Sequence, residues 1–110
     1  MKAFLKALFL GILLTMLFVT IKASFDRNVL AAGKELLADP WGLATLCDAY
    51  FGFTTFFIWV AYKEDSPIAK IIWFVLIMLL GNIAISIYML IQLFNMRPEE
   101  SFDSLLLKKP

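Results

Sequence analysis

The sequence predicts an all-α integral membrane protein, with three transmembrane helices and an interfacial amphipathic helix between the first and the second. Of its 110 residues, 62% are hydrophobic and 17% are charged, against about 45–50% and about 25% in soluble domains. Three apolar stretches are each long enough to cross a bilayer core of about 30 Å as a helix. Between the first two, leucines recur at helical spacing among charged residues. This composition excludes a soluble globular domain, a disordered tail and a collagen-like fibre.

The apolar stretches cover residues 4–22, 41–62 and 68–94. At a rise of 1.5 Å per residue, the second reaches about 33 Å and the third about 40 Å, so the third should tilt or project from the membrane. The first stretch resembles a secretory signal, but Lys22 lies within its candidate cleavage site and we expect a retained anchor. The whole chain, residues 1–110, is predicted to form one membrane domain.

Three segments outside these stretches complete the predicted architecture. Residues 27–38 carry apolar side chains at helical spacing and charges on the other faces, which predicts an amphipathic helix lying along the membrane surface. The turn of residues 63–67 is so short that the second and third helices must form an antiparallel hairpin. Residues 95–110 form a polar tail whose apolar side chains are expected to rest on the surface.

The distribution of basic residues bears on orientation in the membrane. Three crossings would place the N-terminus and the short turn on one side, and the first loop and the tail on the other. Four lysines and the amino group then oppose six basic residues, so the positive-inside rule gives no bias. Lys2 and Lys6, which have no acidic neighbours, favour a cytoplasmic N-terminus in a bacterial inner membrane. Insertion of copies in both orientations stays open.

A row of polar, small and aromatic residues follows one face of the second predicted helix. Its members recur at alternating steps of three and four residues, the spacing of left-handed helix packing. Small and hydroxyl side chains at such positions let a neighbouring backbone approach closely. We call this row the polar stripe: Thr45, Asp48, Gly52, Thr55, Trp59 and Tyr62.

Asp48 is the member of the stripe that is most costly in lipid, at about 2.5–3.5 kcal/mol on insertion scales. Counted from the helix ends on the side of the first loop, Thr15, Asp48 and Tyr88 lie at one depth, about 10 Å inside those helix ends. Thr55 and Asn82 lie deeper. We therefore predict that Asp48 points into the helix bundle and accepts hydrogen bonds from hydroxyl groups of this layer.

Asp48 allows two interpretations. One is a proton or cation site, or a contact to a polar group of a ligand. The other is a hydrogen-bonding staple between helices or to a partner, which the absence of a second titratable group favours because one carboxylate makes a poor relay. Asn82 is interpreted in the same way, since amides commonly join membrane helices. The candidate intramembrane polar site comprises Asp48, Thr45, Tyr50, Gly52, Thr55, Asn82, Tyr88 and Thr15.

No sequence pattern supports catalysis. Histidine, the commonest general base and metal ligand, is absent, and no nucleophile stands beside a base and no glycine loop suits a phosphate. We expect no enzyme activity, no cofactor and no metal. Ten basic against nine acidic residues leave no charge excess for nucleic acid. The single cysteine, Cys47, has no partner for a disulfide within the chain.

Several short runs carry a resemblance to a known family, and the most specific is Asp-Ala-Tyr-Phe-Gly-Phe at residues 48–53. With the runs at residues 38–41, 44–46, 72–74 and 80–84, the chain resembles a family of small, roughly three-span membrane proteins of bacteria and plants, catalogued as a domain of unknown function. The resemblance covers all but about the last dozen residues and implies an architecture without an activity. It suggests one shared feature formed by Trp41, Asp48, Tyr50, Gly52 and Asn82.

Three function hypotheses follow. The first is an accessory or interaction subunit that packs in the bilayer against copies of itself or a larger membrane protein. The second is a homo-oligomeric transporter or channel module for a small solute or proton, built around Asp48. The absence of a proline-broken helix and of a second buried charge speaks against it. The third, a lipid- or quinone-binding enzyme, has only the aromatic residues at the membrane surface in its favour and ranks last.

Overall fold

The structure is a computed structural model that describes residues 2–108, and within that range it is helical with no strand. The all-α prediction is confirmed. Two of the helices are long and apolar enough to cross a membrane, and the third predicted crossing is not among them. The helices are α1 (Lys2–Asp26), α2 (Val29–Ala38), α3 (Pro40–Lys63), α4 (Pro67–Leu80), α5 (Asn82–Phe94) and α6 (Asp103–Leu106).

Local capping signals set where the central helices begin. The side chains of Asn28, Asp39 and Ser66 each accept a hydrogen bond from the backbone N–H three residues later, which satisfies one of the free donors in the first turn. Pro40 and Pro67 follow as the first residues of α3 and α4. At this position the N–H group that proline lacks would have no partner within the helix. These boundaries lie within a few residues of those predicted from the sequence.

The predicted third helix, residues 68–94, is not continuous. It breaks at Gly81, whose φ of +56° and ψ of −124° belong to a region that only glycine adopts readily. The ring centroids of Trp73 and Tyr88 lie 4.9 Å apart, whereas fifteen residues of straight helix would separate them by about 22 Å. The prediction of one helix here is therefore wrong, because α4 and α5 fold back on each other as a hairpin.

The hydrophobic core is formed mainly by α5, which carries most of the buried side chains. On one side α5 packs against α4 and the second half of α3, and on the other side against α1. Leu105 of α6 closes the core by packing against Met89 and Leu93. The largest fully buried side chains are Val60, Ile77, Ser86, Tyr88, Leu93 and Leu105.

Both ends of the described chain lie at the same end of the molecule. The Lys2 ammonium donates to the carbonyl oxygens of Arg97 and Pro98 at 3.0 and 3.1 Å, and Lys108 forms an ion pair with Asp65 at 2.6 Å. We call this the turn end, because it contains the α3–α4 turn. The expectation that the tail lies with the first loop is wrong, since the break at Gly81 returns the chain to the side it came from.

The opposite end, which we call the loop end, holds the connections from α1 to α2 and from α2 to α3. There α1 is exposed from residue 17 to residue 26, and α1 packs on α5 rather than on α3. The predicted amphipathic helix is present as α2, which packs on the start of α3. A β-carbon on Gly42 would overlap the Leu36 carbonyl oxygen, so this contact depends on a glycine.

Candidate functional site

The first four members of the polar stripe lie on the outer face of α3. The face of α3 that packs on α4 and α5 carries Phe53, Phe57 and Val60. At 100° per residue, the first four members of the stripe lie about a third of a turn away from that face. All four are exposed, and we call them the docking face: Thr45, Asp48, Gly52 and Thr55.

The Asp48 side chain is exposed and forms no hydrogen bond or ion pair with any residue from 2 to 108. The prediction that it points into the bundle and accepts hydrogen bonds there is therefore wrong. The α4–α5 hairpin turns back beside Tyr50 and Phe53, before it reaches Asp48. No hydroxyl group of α5 is brought to this level of α3.

The threonines of the docking face need no external partner. The hydroxyl groups of Thr45 and Thr55 donate to the carbonyl oxygens of Trp41 and Phe51, four residues earlier, at 2.8 and 2.9 Å. Gly52 has no atom within 4 Å of the position that a β-carbon would take. The docking face thus carries one unpaired carboxylate, while the hydroxyl groups beside it already form hydrogen bonds.

Tyr50 and Asn82 belong to the apex of the α4–α5 hairpin, not to the docking face. The Tyr50 hydroxyl donates to the Met78 carbonyl oxygen at 3.0 Å, and so satisfies one of the free carbonyls at the end of α4. Its ring packs edge-on against the Phe53 ring, with 5.2 Å between the ring centroids. Asn82 is the first residue of α5 and is exposed.

Tyr88 lies at the turn end, far from Asp48. Its ring is fully buried in edge-to-face contacts with the rings of Phe56, Trp59 and Trp73. Its hydroxyl group lies toward Glu64 in the α3–α4 turn, without good hydrogen-bond geometry to any residue from 2 to 108.

Thr15 is the third member of the predicted layer, and it lies exposed on α1. The structure does not bring Thr15, Asp48 and Tyr88 together. The prediction of one layer failed because the depth count assumed that the stretch 68–94 crosses in one piece.

The C-terminal tail covers the last two members of the polar stripe. The Trp59 indole N–H donates to the Leu106 carbonyl oxygen at 2.9 Å, and the Tyr62 hydroxyl accepts from the Lys108 backbone N–H at 3.2 Å. Lys63 also donates to the Leu105 carbonyl oxygen at 2.5 Å. The sequence predicts a tail on the membrane surface and gives no sign of these contacts, because they join groups more than 40 residues apart.

An ion pair holds the end of the tail to the α3–α4 turn. The hydrogen bond and the charge of Lys108 hold the pKa of the Asp65 carboxyl below its ordinary value. The Asp65 side chain is 82% exposed, so solvent screens most of this interaction. Among residues 2–108, no group of three acidic, cysteine or histidine side chains converges to hold a metal ion.

Over residues 2–108, the fold and the site define a class of protein: a small helical chain with two candidate membrane helices, a short apolar hairpin packed between them and an unpaired carboxylate on an outer helix face. The chain belongs to the family described as protein of unknown function DUF1475, whose family model matches residues 2–109. This confirms the resemblance to a family catalogued as a domain of unknown function. No curated protein and no solved structure matches the chain.

Proposed function

We propose that this chain is an integral membrane protein that acts as an accessory subunit, binding a helix of another membrane protein through the docking face of α3. The observation that carries the proposal is the unpaired, exposed carboxylate of Asp48 on a helix long enough to cross the bilayer. A carboxylate facing hydrocarbon costs about 2.5–3.5 kcal/mol on insertion scales, and a partner that supplies a donor offsets that cost.

The exposed apolar surface supports placement in a membrane. Helix α1 contains no buried residue, and its Phe18 side chain is 68% exposed. Trp41, at the start of α3, is 82% exposed, as suits an aromatic residue at the membrane–water interface. An apolar surface of this extent is rare on soluble monomers but ordinary in contact with lipid. The bacterial inner membrane stays the predicted location.

The depth of Asp48 favours a basic partner residue. Asp48 lies eight residues after Pro40, about 12 Å along the helix axis. Because α3 is about 36 Å long and the hydrocarbon core about 30 Å thick, a centred α3 places Asp48 about 9 Å inside the core. Charged groups at this depth pair with one another. The occupant we propose is therefore a partner helix that carries a lysine or an arginine at this level.

The shape of the docking face favours a helix over a solute. Gly52 leaves open space above the α3 backbone, and the hydroxyl groups of Thr45 and Thr55 are already used within α3. Membrane helices approach closely at small residues of this kind. Asp48 lies on an exposed face of α3 and is not enclosed between helices, which does not favour conduction by one copy of the chain.

Site-specific crosslinking tests the proposal, with two neighbouring threonines as a matched pair. Thr54 and Thr55 are both exposed and both bond to the carbonyl four residues earlier, but only Thr55 belongs to the docking face. A photoreactive residue at position 55, activated in native membranes, should join the chain to one larger protein. The same group at position 54 should not.

The Asp48 variants complete this test. With the photoreactive group at position 55, Asp48→Leu should reduce the adduct at least tenfold, while Asp48→Asn should retain part of it because an amide still forms hydrogen bonds. Adducts at multiples of the chain's own mass would instead favour the homo-oligomeric transporter and overturn the proposal. Equal yields from positions 54 and 55 would also overturn it.

A further inference from the structure

The α4–α5 hairpin is too short to cross a bilayer with either of its helices. The 14 residues of α4 and the 13 residues of α5 reach about 21 and 20 Å, against a hydrocarbon core of about 30 Å. By comparison, the 25 residues of α1 and the 24 residues of α3 reach about 37 and 36 Å.

Contacts with α3 set the depth that the hairpin reaches. The Tyr50 hydroxyl bonds to the Met78 carbonyl at the end of α4, and the Phe53 ring lies against Gly81 at the apex. Tyr50 and Phe53 lie near the middle of α3. When α3 crosses the membrane, the apex therefore lies near the bilayer midplane.

The apex meets part of the requirement that lipid places on non-helical backbone. Such backbone is tolerated at membrane depth only where protein covers it and satisfies its polar groups. Gly81 is buried, its N–H donates to the Ile77 carbonyl and its carbonyl accepts from the Ile85 N–H. Together with the Tyr50 bond to Met78, these contacts satisfy the polar groups of the turn itself, whereas α5 begins without a side-chain cap for the N–H groups of its first turn.

We propose that α4 and α5 form a re-entrant hairpin, which enters the membrane from the turn end, turns at mid-depth and returns to the same side. The chain then crosses the membrane twice, with α1 and α3, and both of its ends lie on one side. This inference rests on the membrane placement of the proposed function, but it does not depend on a partner.

The new topology changes the charge balance and with it the orientation. The tail now joins the N-terminus, so the turn end holds six basic residues and the loop end three. The positive-inside rule then places the turn end in the cytoplasm. Among residues 2–108, the basic residues of the turn end are Lys2, Lys6, Lys63, Lys70, Arg97 and Lys108, and those of the loop end are Lys22, Arg27 and Lys34.

Cysteine labelling in sealed vesicles tests the topology. In a Cys47→Ala background, single cysteines replace three exposed residues: Ala3 at the turn end, Ser101 in the tail and Lys34 at the loop end. A membrane-impermeant maleimide added to inside-out vesicles should label Ala3→Cys and Ser101→Cys. Added to right-side-out vesicles, it should label Lys34→Cys.

Three outcomes would overturn parts of this inference in distinguishable ways. Labelling of Ser101→Cys together with Lys34→Cys would show three crossings and would remove the re-entrant hairpin. Labelling of every cysteine from both sides would remove the cytoplasmic assignment. Release of the chain from vesicles by alkaline carbonate would instead show that it is not an integral membrane protein, and would overturn the proposed function as well.

Discussion

The ring of Phe53 lies so close to Gly81 that a β-carbon on the glycine would stand 2.6 Å from the Phe53 Cζ atom. The same glycine has a φ of +56°, a conformation that side chains disfavour. Backbone geometry and packing therefore both require glycine at this one position, which is where the chain turns between α4 and α5.

Replacement of this glycine should destabilise the protein. Gly81→Ala adds a backbone cost of about 1–3 kcal/mol and forces the Phe53 ring to move. We expect a lower free energy of unfolding, measured by denaturant titration in mild detergent. Gly11→Ala is the matched control, because nothing lies within 4 Å of a β-carbon at that site in α1. If both variants unfold at the wild-type denaturant concentration, the apex geometry is incorrect.

The hydrogen bond from Tyr50 to the Met78 carbonyl should contribute to the stability of the hairpin apex. Tyr50→Phe keeps the edge contact with Phe53 but leaves the carbonyl without this donor. Hydrogen bonds of this kind between membrane helices are worth about 0.6–2 kcal/mol, and we expect a loss in that range.

Tyr62→Phe is the control for this prediction. Its hydroxyl contacts the tail at the turn end instead of the hairpin, so the variant should leave the apex unchanged. Reactivity of an Ala84→Cys thiol, in a Cys47→Ala background, reports on the apex directly, because Ala84 is buried. It should rise in the Tyr50 variant only. Equal thiol reactivity in the two tyrosine variants would mean that the Tyr50 bond does not hold the apex.

Asp48 should contribute nothing to the folding of the isolated chain. It has no partner among residues 2–108, so Asp48→Leu should change the free energy of unfolding by less than about 0.5 kcal/mol. Leu93→Ala, at a fully buried position, should cost about 2–5 kcal/mol in the same titration. A comparable loss for Asp48→Leu would instead identify Asp48 as a staple within the chain.

The attachment of the tail should depend on pH only in acid. Because the pKa of Asp65 is lowered in the folded protein, the Asp65–Lys108 pair adds stability above the ordinary pKa of 3.8. That contribution is lost as the pH falls through the lower folded value. A spin label at Ser101→Cys, in a Cys47→Ala background, should have constant mobility from pH 8 to pH 5 and greater mobility below about pH 4.

Two comparisons check that the Asp65–Lys108 pair causes this behaviour. Asp65→Asn should loosen the tail slightly at pH 7 and abolish its further change in acid. High salt should reproduce the effect of the variant, because the Asp65 carboxyl is exposed and the interaction is screened. An unaltered acid transition in Asp65→Asn would assign it to another group.

The helix starts were predictable because their causes are local in the chain. Asp39 caps α3, and Pro40, the next residue, is the first of the helix, so adjacent residues contain the whole signal. The polar stripe was recognisable for the same reason, because helical periodicity alone places Asp48 and Thr55 on one face. Which residues lie opposite that face depends on how distant segments pack, not on neighbours in the chain. For this reason the prediction of a layer of hydroxyl groups around Asp48 was wrong.

By itself, the sequence determined the all-helical fold class, the amphipathic helix and the members of the polar stripe, since each depends on residues within a few turns of one another. Only the tertiary structure decided that the stretch 68–94 is a hairpin. A glycine in an apolar run is compatible with a straight helix or a break, and packing against Phe53, together with the Tyr50 bond to Met78, selects the break. That choice places the tail beside the N-terminus and leaves Asp48 uncovered.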